Sequence, residues 1–188
     1  EDVHDEIVDR CIALGESLSV GPGIERREFN AKMGAIVSDP QRDRAEGLVE
    51  AAAAKGAMVA TGGGRLNLPR SFLAQTVISG VTPDMQIAST EVFGPVLSVL
   101  KTRSEDEAIN IVNSTEYGLF GDTFTADIDA AHSAIRRIHG GQIFINEWFA
   151  GGVETPFGGY SKSGHGREKG RESLWKYVQT KRIAYRKK

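Results

Sequence analysis

Residues 104–146 read SEDEAINIVNSTEYGLFGDTFTADIDAAHSAIRRIHGGQIFIN, and this stretch decides the fold. Ser104 and Glu107 form a capping box that predicts the start of a helix. Residues 121–125 are predicted to form a strand, Asp127 is typical of the N-cap of a second helix, and a short apolar run closes the stretch as another strand. Strands that alternate with helices over short joints indicate parallel strands joined by right-handed crossovers. The predicted class is therefore α/β, with a parallel sheet.

The segments on either side extend this pattern. Upstream, apolar residues at helical spacing predict a helix over residues 3–18, and Asp39 as N-cap predicts a second helix that runs to Gly56. Three strands are then predicted, over residues 58–60, 72–81 and 96–100. Downstream, a glycine-rich loop over residues 146–170 has the length of a functional loop. A last helix over residues 167–177 and a short, basic strand over residues 180–185 complete the chain.

Composition limits the kinds of partner that are expected. The 188-residue chain is 40% hydrophobic and 26% charged, and its net charge is −2. That charge gives no electrostatic reason to expect binding to nucleic acid or to an anionic membrane surface. No segment approaches the roughly 18 consecutive apolar residues of a transmembrane helix. The single cysteine, Cys11, excludes an internal disulfide and favours a reducing compartment, so a cytoplasmic protein is expected; Cys11 itself is interpreted as a packed thiol.

Motifs that carry chemistry on their own are weak in this chain. The glycine run at residues 62–64 lacks the Lys-Ser/Thr ending of a phosphate loop and is interpreted as a turn. Gly164-His165-Gly166 opens like a dinucleotide fingerprint, but Gly170 falls one residue late. The four histidines show no spacing that predicts a metal site, and no metal is expected. Residue chemistry alone leads to an α/β domain with a functional loop.

Three ordered segments together resemble the aldehyde dehydrogenase family. Residues 91–96, EVFGPV, are similar to the family's Glu-x-Phe-Gly-Pro-Val signature. Residues 113–127, NSTEYGLFGDTFTAD, resemble its NxTxYGL and FTxD stretch. Residues 156–168, PFGGYSKSGHGRE, look like its PFGGxxxSGxGRE block. The order and separation of the segments make the resemblance specific, and it extends over essentially the whole chain.

The resemblance implies roles for two residues of the first segment. Glu91 would hydrogen-bond the ribose of the nicotinamide cofactor, and Phe93 would pack beside the nicotinamide ring. The alternatives are a solvated loop carboxylate for Glu91 and ordinary core packing for Phe93. The cofactor is expected to be NAD or NADP. The choice between them stays open, because the pocket that distinguishes them lies outside this sequence.

The same resemblance implies a substrate site in the glycine-rich loop. Phe157 matches a family position that lines the substrate tunnel, and Trp148 and Phe149 lie in the variable part of the loop. An aromatic lining would suit an apolar or aromatic aldehyde. Packing under the loop is the alternative interpretation of Trp148 and Phe149. A small-molecule aldehyde is the expected substrate.

No catalytic residue is expected within the chain itself. The family's cysteine nucleophile is expected upstream of Glu1, with the glutamate base and the cofactor domain earlier still. Residues 1–162 would then be a partial catalytic α/β domain without its cysteine loop. Residues 163–188 would be a C-terminal helix with an oligomerisation strand, as in homodimers or homotetramers.

Two hypotheses of different classes follow. In the first, the chain belongs to a longer enzyme that oxidises an aldehyde to its carboxylic acid with NAD or NADP, through attack by an upstream thiolate. In the second, the chain is a catalytically silent module for oligomerisation, since its basic terminal strand suits pairing with a neighbour's sheet edge.

Overall fold

The structure, a computed structural model, describes residues 2–22 and 31–187 and consists of two compact units. The first unit is Glu1–Glu105 and the second is Asp106–Lys188. The domain boundary expected after residue 162 thus falls inside the second unit. Backbone pairing across that position explains why, because Phe157 and Glu168, which lie on either side of it, exchange two hydrogen bonds of 2.7 Å.

The first unit combines helices with one small sheet. Its described elements are α1 (His4–Ser17), α2 (Asp39–Ala54), β1 (Met58–Thr61), β2 (Thr76–Ser79), α3 (Gln86–Ser89) and β3 (Val96–Ser98). The strand order is β1-β2-β3, with β1 antiparallel and β3 parallel to the central strand. All four residues of β2 are buried. The expected parallel pairing is therefore found beside an antiparallel pair, and the sheet is mixed.

The core of the first unit forms where α2 covers this sheet. Ile78 of β2 is fully buried, and it packs with residues of α2 and of the α3 region. The remaining members of this core are Leu48, Val49, Ala52, Ala57, Val81, Met85 and Ile87. An apolar helix face and a buried strand thereby exclude water from each other, which is the main stabilising contribution in a domain of this size.

Helix α2 begins one residue earlier than its sequence suggests. Ser38, not Asp39, is the N-cap, and its hydroxyl accepts from the backbone N–H of Gln41 at 3.4 Å. Asp39 instead accepts a hydrogen bond from the Ser71 hydroxyl at 2.6 Å and one from Arg42 at 2.7 Å. The Ser71 hydrogen bond, followed by the Arg42 charge, lowers the pKa of Asp39 below its ordinary value of 3.8.

Helix α1 matches its prediction in extent but only partly in packing. Val8 is buried and Cys11 is half-buried, whereas Ile7 and Leu14 of the same apolar stripe are 46% and 63% exposed. The interpretation of Cys11 as a packed thiol is therefore only partly met.

The second unit, apart from the first residue of α4, holds the elements of the deciding stretch and one short strand beyond it. They are α4 (Glu105–Val112), β4 (Tyr117–Gly118), β5 (Phe120–Thr123), α5 (Ile128–Arg137), β6 (Gln142–Ile145) and β7 (Tyr160–Ser161). Strands β5 and β6 are parallel and joined through α5, as predicted, and β4 pairs with β7 antiparallel. Asp127 caps α5 by accepting from the N–H groups of Asp129 and Ala130. The α/β class is confirmed.

The C-terminal prediction needs correction. The expected helix over residues 167–177 is a 3₁₀ helix, Glu172–Tyr177, because Lys169 (φ 56°) and Gly170 (φ 57°) are left-handed and cannot continue a right-handed helix. Residues 178–187 form neither helix nor strand in the single chain. A strand needs a paired neighbour, and none of the described residues pairs with the predicted strand.

Across residues 2–22 and 31–187, none of the helices combines the length and the apolar character needed to cross a lipid bilayer.

Candidate functional site

The segment that carries Glu91 and Phe93 is a short loop between α3 and β3. Its far end is fixed to the sheet, because the backbone N–H of Thr76 donates to the carbonyl of Pro95 at 2.8 Å. Gly94 lies close to α2, and a Cβ added there would meet the Cβ of Ala45 at 3.3 Å. The loop thus lies on the helix with little room for a larger residue.

Two side chains on the first turns of α2 hold the backbone of this loop. The Gln41 side-chain amide donates to the carbonyl of Val92 at 2.7 Å and to that of Phe93 at 3.4 Å. The Arg44 guanidinium donates to the carbonyls of Glu91 at 3.0 Å and Val92 at 3.2 Å. These hydrogen bonds satisfy three consecutive carbonyls of the loop, so they hold its backbone against α2.

The side chains of Glu91 and Phe93 take no part in this anchoring and are exposed. Glu91 is exposed, and no described residue hydrogen-bonds its carboxylate. Phe93 is 63% exposed and has a left-handed backbone (φ 53°), an unfavourable state for a bulky residue. Among the described residues, Phe93 thus contributes little to the core. The loop therefore presents an exposed carboxylate and an exposed aromatic ring, two residues apart, on a backbone that α2 anchors.

In the second unit, the glycine-rich loop leaves the sheet at Asn146. The Asn146 side chain binds both backbone groups of Thr125, accepting from its N–H at 2.8 Å and donating to its carbonyl at 2.7 Å. Asn146 itself is left-handed, with φ 51°. The loop thus starts from the carboxyl end of β6 in a defined direction.

The loop returns to the sheet through a short ladder at Phe157. Phe157 and Glu168 exchange two backbone hydrogen bonds, each of 2.7 Å. The Arg167 guanidinium donates to the carbonyls of Gly159 and Gly166, both at 2.9 Å, and lies over the Tyr160 ring at 5.7 Å. Arg167 thereby holds the backbone of this loop.

Three phenylalanine rings pack together at this end of the second unit, with Phe149 tilted against Phe144 and edge to face with Phe157. Phe149 lies 6.1 Å from Phe144 and 6.0 Å from Phe157, measured between ring centroids. The ammonium of Lys169 lies 5.3 Å from the centroid of Phe149 and 5.7 Å from that of Phe157. Two of the sequence-predicted substrate residues are thus brought together, under a cation that the sequence analysis did not single out.

Trp148 is placed apart from this group. Its ring makes an edge contact with Phe120 at 5.6 Å and is 67% exposed. Trp148 therefore packs on a neighbour without being covered by the loop.

Three residues that contact the candidate site were not predicted from the sequence. Gln41 and Arg44 are three apart on α2, so they share one face of the helix, and that spacing was available as a signal. Lys169 follows the PFGGxxxSGxGRE block directly, but a lone lysine gives no sign that it will contact two rings 12 and 20 residues away.

Comparison with known proteins places these features in a family. The sequence pattern of the aldehyde dehydrogenase family matches residues 1–183. A betaine aldehyde dehydrogenase of Brucella anthropi is 38% identical over 187 residues, which is 97% of this chain and 38% of that protein. Aldehyde dehydrogenase, cytosolic 1 of Mus musculus is 34% identical, over 98% of this chain and 36% of its own length.

Solved structures agree with the sequence comparison. An NAD-dependent aldehyde dehydrogenase from Sinorhizobium meliloti has a TM-score of 0.88 and 37% identity, covering 95% of this chain and 35% of that one. The NAD⁺ complex of an aldehyde dehydrogenase from Bacillus cereus has a TM-score of 0.88 and 34% identity, covering 95% and 36%. The chain spans little more than a third of the length of these relatives. In sequence and in structure, it belongs to the aldehyde dehydrogenase family.

Proposed function

We propose that this chain is part of an enzyme that oxidises an aldehyde to its carboxylic acid, with NAD or NADP as the hydride acceptor. The observation that carries the proposal is the anchored loop with the Glu91 carboxylate and the Phe93 ring free. Water supplies the second oxygen of the acid, so that aldehyde, water and oxidised cofactor give acid, reduced cofactor and a proton.

Glu91 and Phe93 are the residues proposed to hold the cofactor. A carboxylate with no protein partner can accept from both vicinal hydroxyls of a ribose, and the Phe93 ring offers a flat face to the nicotinamide. The bound cofactor accepts the hydride. The chain's own contribution is to restrict the position of the nicotinamide, for which Gln41 and Arg44 keep the loop backbone in place. The Bacillus cereus relative, solved with NAD⁺, supports this cofactor class.

Phe157 and Phe149 are proposed to contact the substrate, with Trp148 at the more exposed part of the loop. The contacting rings of Phe149 and Phe157 favour an apolar or aromatic group on the aldehyde. The thiol that attacks the aldehyde is proposed to lie outside residues 1–188. Cys11, the single cysteine of this sequence, lies half-buried in α1 with helical backbone on both sides.

The test is aldehyde-dependent reduction of NAD⁺ or NADP⁺ by the parent protein, the longer polypeptide that contains residues 1–188. The 188-residue chain is assayed beside it, with benzaldehyde and an aliphatic aldehyde as substrates. Absorbance of the reduced cofactor is expected to rise with the parent protein alone. If the parent protein reduces neither cofactor, the proposal fails. If the 188-residue chain turns over, the proposed position of the thiol fails.

A second proposal concerns assembly, because the C-terminal segment exposes much apolar surface. Tyr177, Ile183 and Tyr185 are between 78% and 89% exposed, in a segment that also carries several basic residues. Such a segment is suited to cover by a second copy of the protein. We propose a homodimer or homotetramer in which residues 180–185 pair with a neighbour's sheet edge. Light scattering on the parent protein with and without residues 178–188 tests this, and an unchanged mass would contradict it.

A further inference from the structure

The ammonium of Lys169 is held over two aromatic rings. Its Nζ atom lies 5.3 Å from the centroid of Phe149 and 5.7 Å from that of Phe157, and the two rings are 6.0 Å apart. Both distances are within the range at which the negative face of an aromatic ring attracts a cation. One cation therefore already occupies the position over this pair of rings.

The backbone around Lys169 explains why the side chain lies there. Glu168 is paired with Phe157 by two hydrogen bonds of 2.7 Å, so the next residue starts beside the Phe157 ring. The left-handed conformations of Lys169 and Gly170 then turn the chain, and the N–H of Gly170 donates to the carbonyl of Val153 at 2.8 Å. Lys169 is thus fixed on both sides by backbone contacts.

The charge of Lys169 is not neutralised within the described part of the chain. Several lysines and arginines there have carboxylate partners, for example Lys162 with Glu116 at 2.6 Å. None of the described residues gives Lys169 an ion pair, although its side chain is half-buried. A partly desolvated ammonium without a counter-ion attracts an anion and repels a second cation.

We propose that Lys169 is a specificity-determining residue that selects aldehydes carrying a carboxylate and disfavours those carrying a quaternary ammonium group. The inference rests on the proposed function, in which Phe149 and Phe157 contact the substrate. The aliphatic or aromatic part of the aldehyde lies against the two rings, and its carboxylate is paired with the Lys169 ammonium. The relative from Brucella anthropi, by contrast, is named for betaine aldehyde, which is a cation.

The experiment uses the parent protein and two sets of aldehydes, each with a carboxylate, a neutral and a cationic member. The aromatic set is 4-formylbenzoate, 4-formylbenzamide and 4-formyl-N,N,N-trimethylanilinium, and an aliphatic set is 4-oxobutanoate, butanal and betaine aldehyde. Lys169→Met is expected to lower kcat/KM for the carboxylate by about tenfold and to raise it for the cation, with the neutral aldehyde changed by less than about twofold. Lys169→Arg retains the charge over the rings and is expected to retain the preference.

Lys55→Met is the matched control, since it removes the same charge from an exposed lysine of the first unit that is 3.9 Å from Asp84. It is expected to leave all rates unchanged. If the neutral aldehydes are oxidised but Lys169→Met changes kcat/KM by the same factor for the anionic, neutral and cationic aldehydes, the inference is overturned while the proposed function stands. If no aldehyde is oxidised, the proposed function fails and the inference fails with it.

Discussion

Asn146 and Thr125 exchange two hydrogen bonds through one side chain. The Asn146 amide oxygen accepts from the N–H of Thr125 at 2.8 Å, and its amide nitrogen donates to the Thr125 carbonyl at 2.7 Å. The side chain thereby reproduces one step of a β-ladder just beyond the last residue of β6. Asn also tolerates the left-handed backbone that this position adopts, at φ 51°.

Replacing Asn146 separates these two contributions. Asn146→Gly removes the hydrogen bonds but keeps the tolerated backbone, and the free energy of unfolding is expected to fall by about 1 kcal/mol. Asn146→Ala adds the strain of a left-handed alanine and is expected to cost about 1 kcal/mol more. Denaturant unfolding of the two variants measures the difference. Equal stabilities would show that the backbone state of Asn146 is not strained.

Gln41 is expected to act on cofactor binding through the loop backbone. Gln41→Leu removes the shorter of the two hydrogen bonds to the Val92 carbonyl and the one to the Phe93 carbonyl, so the loop that carries Glu91 and Phe93 is held less tightly. The KM for the cofactor in the parent protein is expected to rise about tenfold, as for the loss of one well-made hydrogen bond. Glu50→Gln, an exposed change on the same helix, is the control. A cofactor KM that changes equally in both variants would contradict the anchoring role.

Two glycine substitutions are expected to have opposite effects on stability. A Cβ added at Gly141 would overlap the carbonyl oxygen of Gly158, so Gly141→Ala forces the backbone apart and is expected to cost about 3 kcal/mol or more. Gly47 lies in the middle of α2 with open space around it, and Gly47→Ala is expected to stabilise by about 0.5–1 kcal/mol. Thermal unfolding of each variant measures both. A well-folded Gly141→Ala protein would contradict the close approach.

Acid is expected to weaken the start of α2. The pKa of Asp39 is lowered by the Ser71 hydrogen bond and by Arg42, so its contribution to stability is complete above the ordinary value of 3.8. That contribution is lost as the pH falls through the lower, folded pKa. Thermal unfolding at neutral pH and at a pH below 3.8 is expected to show a smaller acid-induced loss for Asp39→Asn and for Ser71→Ala than for the wild type. Equal losses would show that the Asp39 contacts do not contribute to stability.

The sequence predicted best where a local rule dominates. The Asp127 cap, the parallel pairing of β5 with β6 and the position of β1 all follow from cap chemistry and short-range hydrophobic patterns. The start of α2 was misplaced by one residue because Ser38 and Asp39 are both good N-caps. The tertiary hydrogen bond from Ser71 engages Asp39, and Ser38 makes the cap.

Such local rules do not predict strand pairing between residues that are distant in the sequence. The antiparallel ladder of β4 with β7 joins residues that are more than 40 positions apart, and only two residues of each strand take part. The prediction of a C-terminal α-helix was wrong for a similar reason. Lysine has no local preference for the left-handed backbone that Lys169 adopts, so the sequence did not indicate the turn there. Of the site, the identities of Glu91, Phe93, Phe149 and Phe157 came from the resemblance, whereas the anchoring by Gln41 and Arg44 required the structure.

The close backbone approach between Gly141 and Gly158 also limits how this part of the protein can diverge. Every single-base missense change in a glycine codon adds a side chain, and at these two positions any side chain meets a carbonyl oxygen. Single substitutions of these two glycines at the base of the loop are therefore expected to be rejected. Trp148, in the same loop, is 67% exposed, and its replacement does not require the backbone to move. New substrate preferences are expected to arise by substitutions near Trp148, whereas the two glycines at the base of the loop are expected to be conserved.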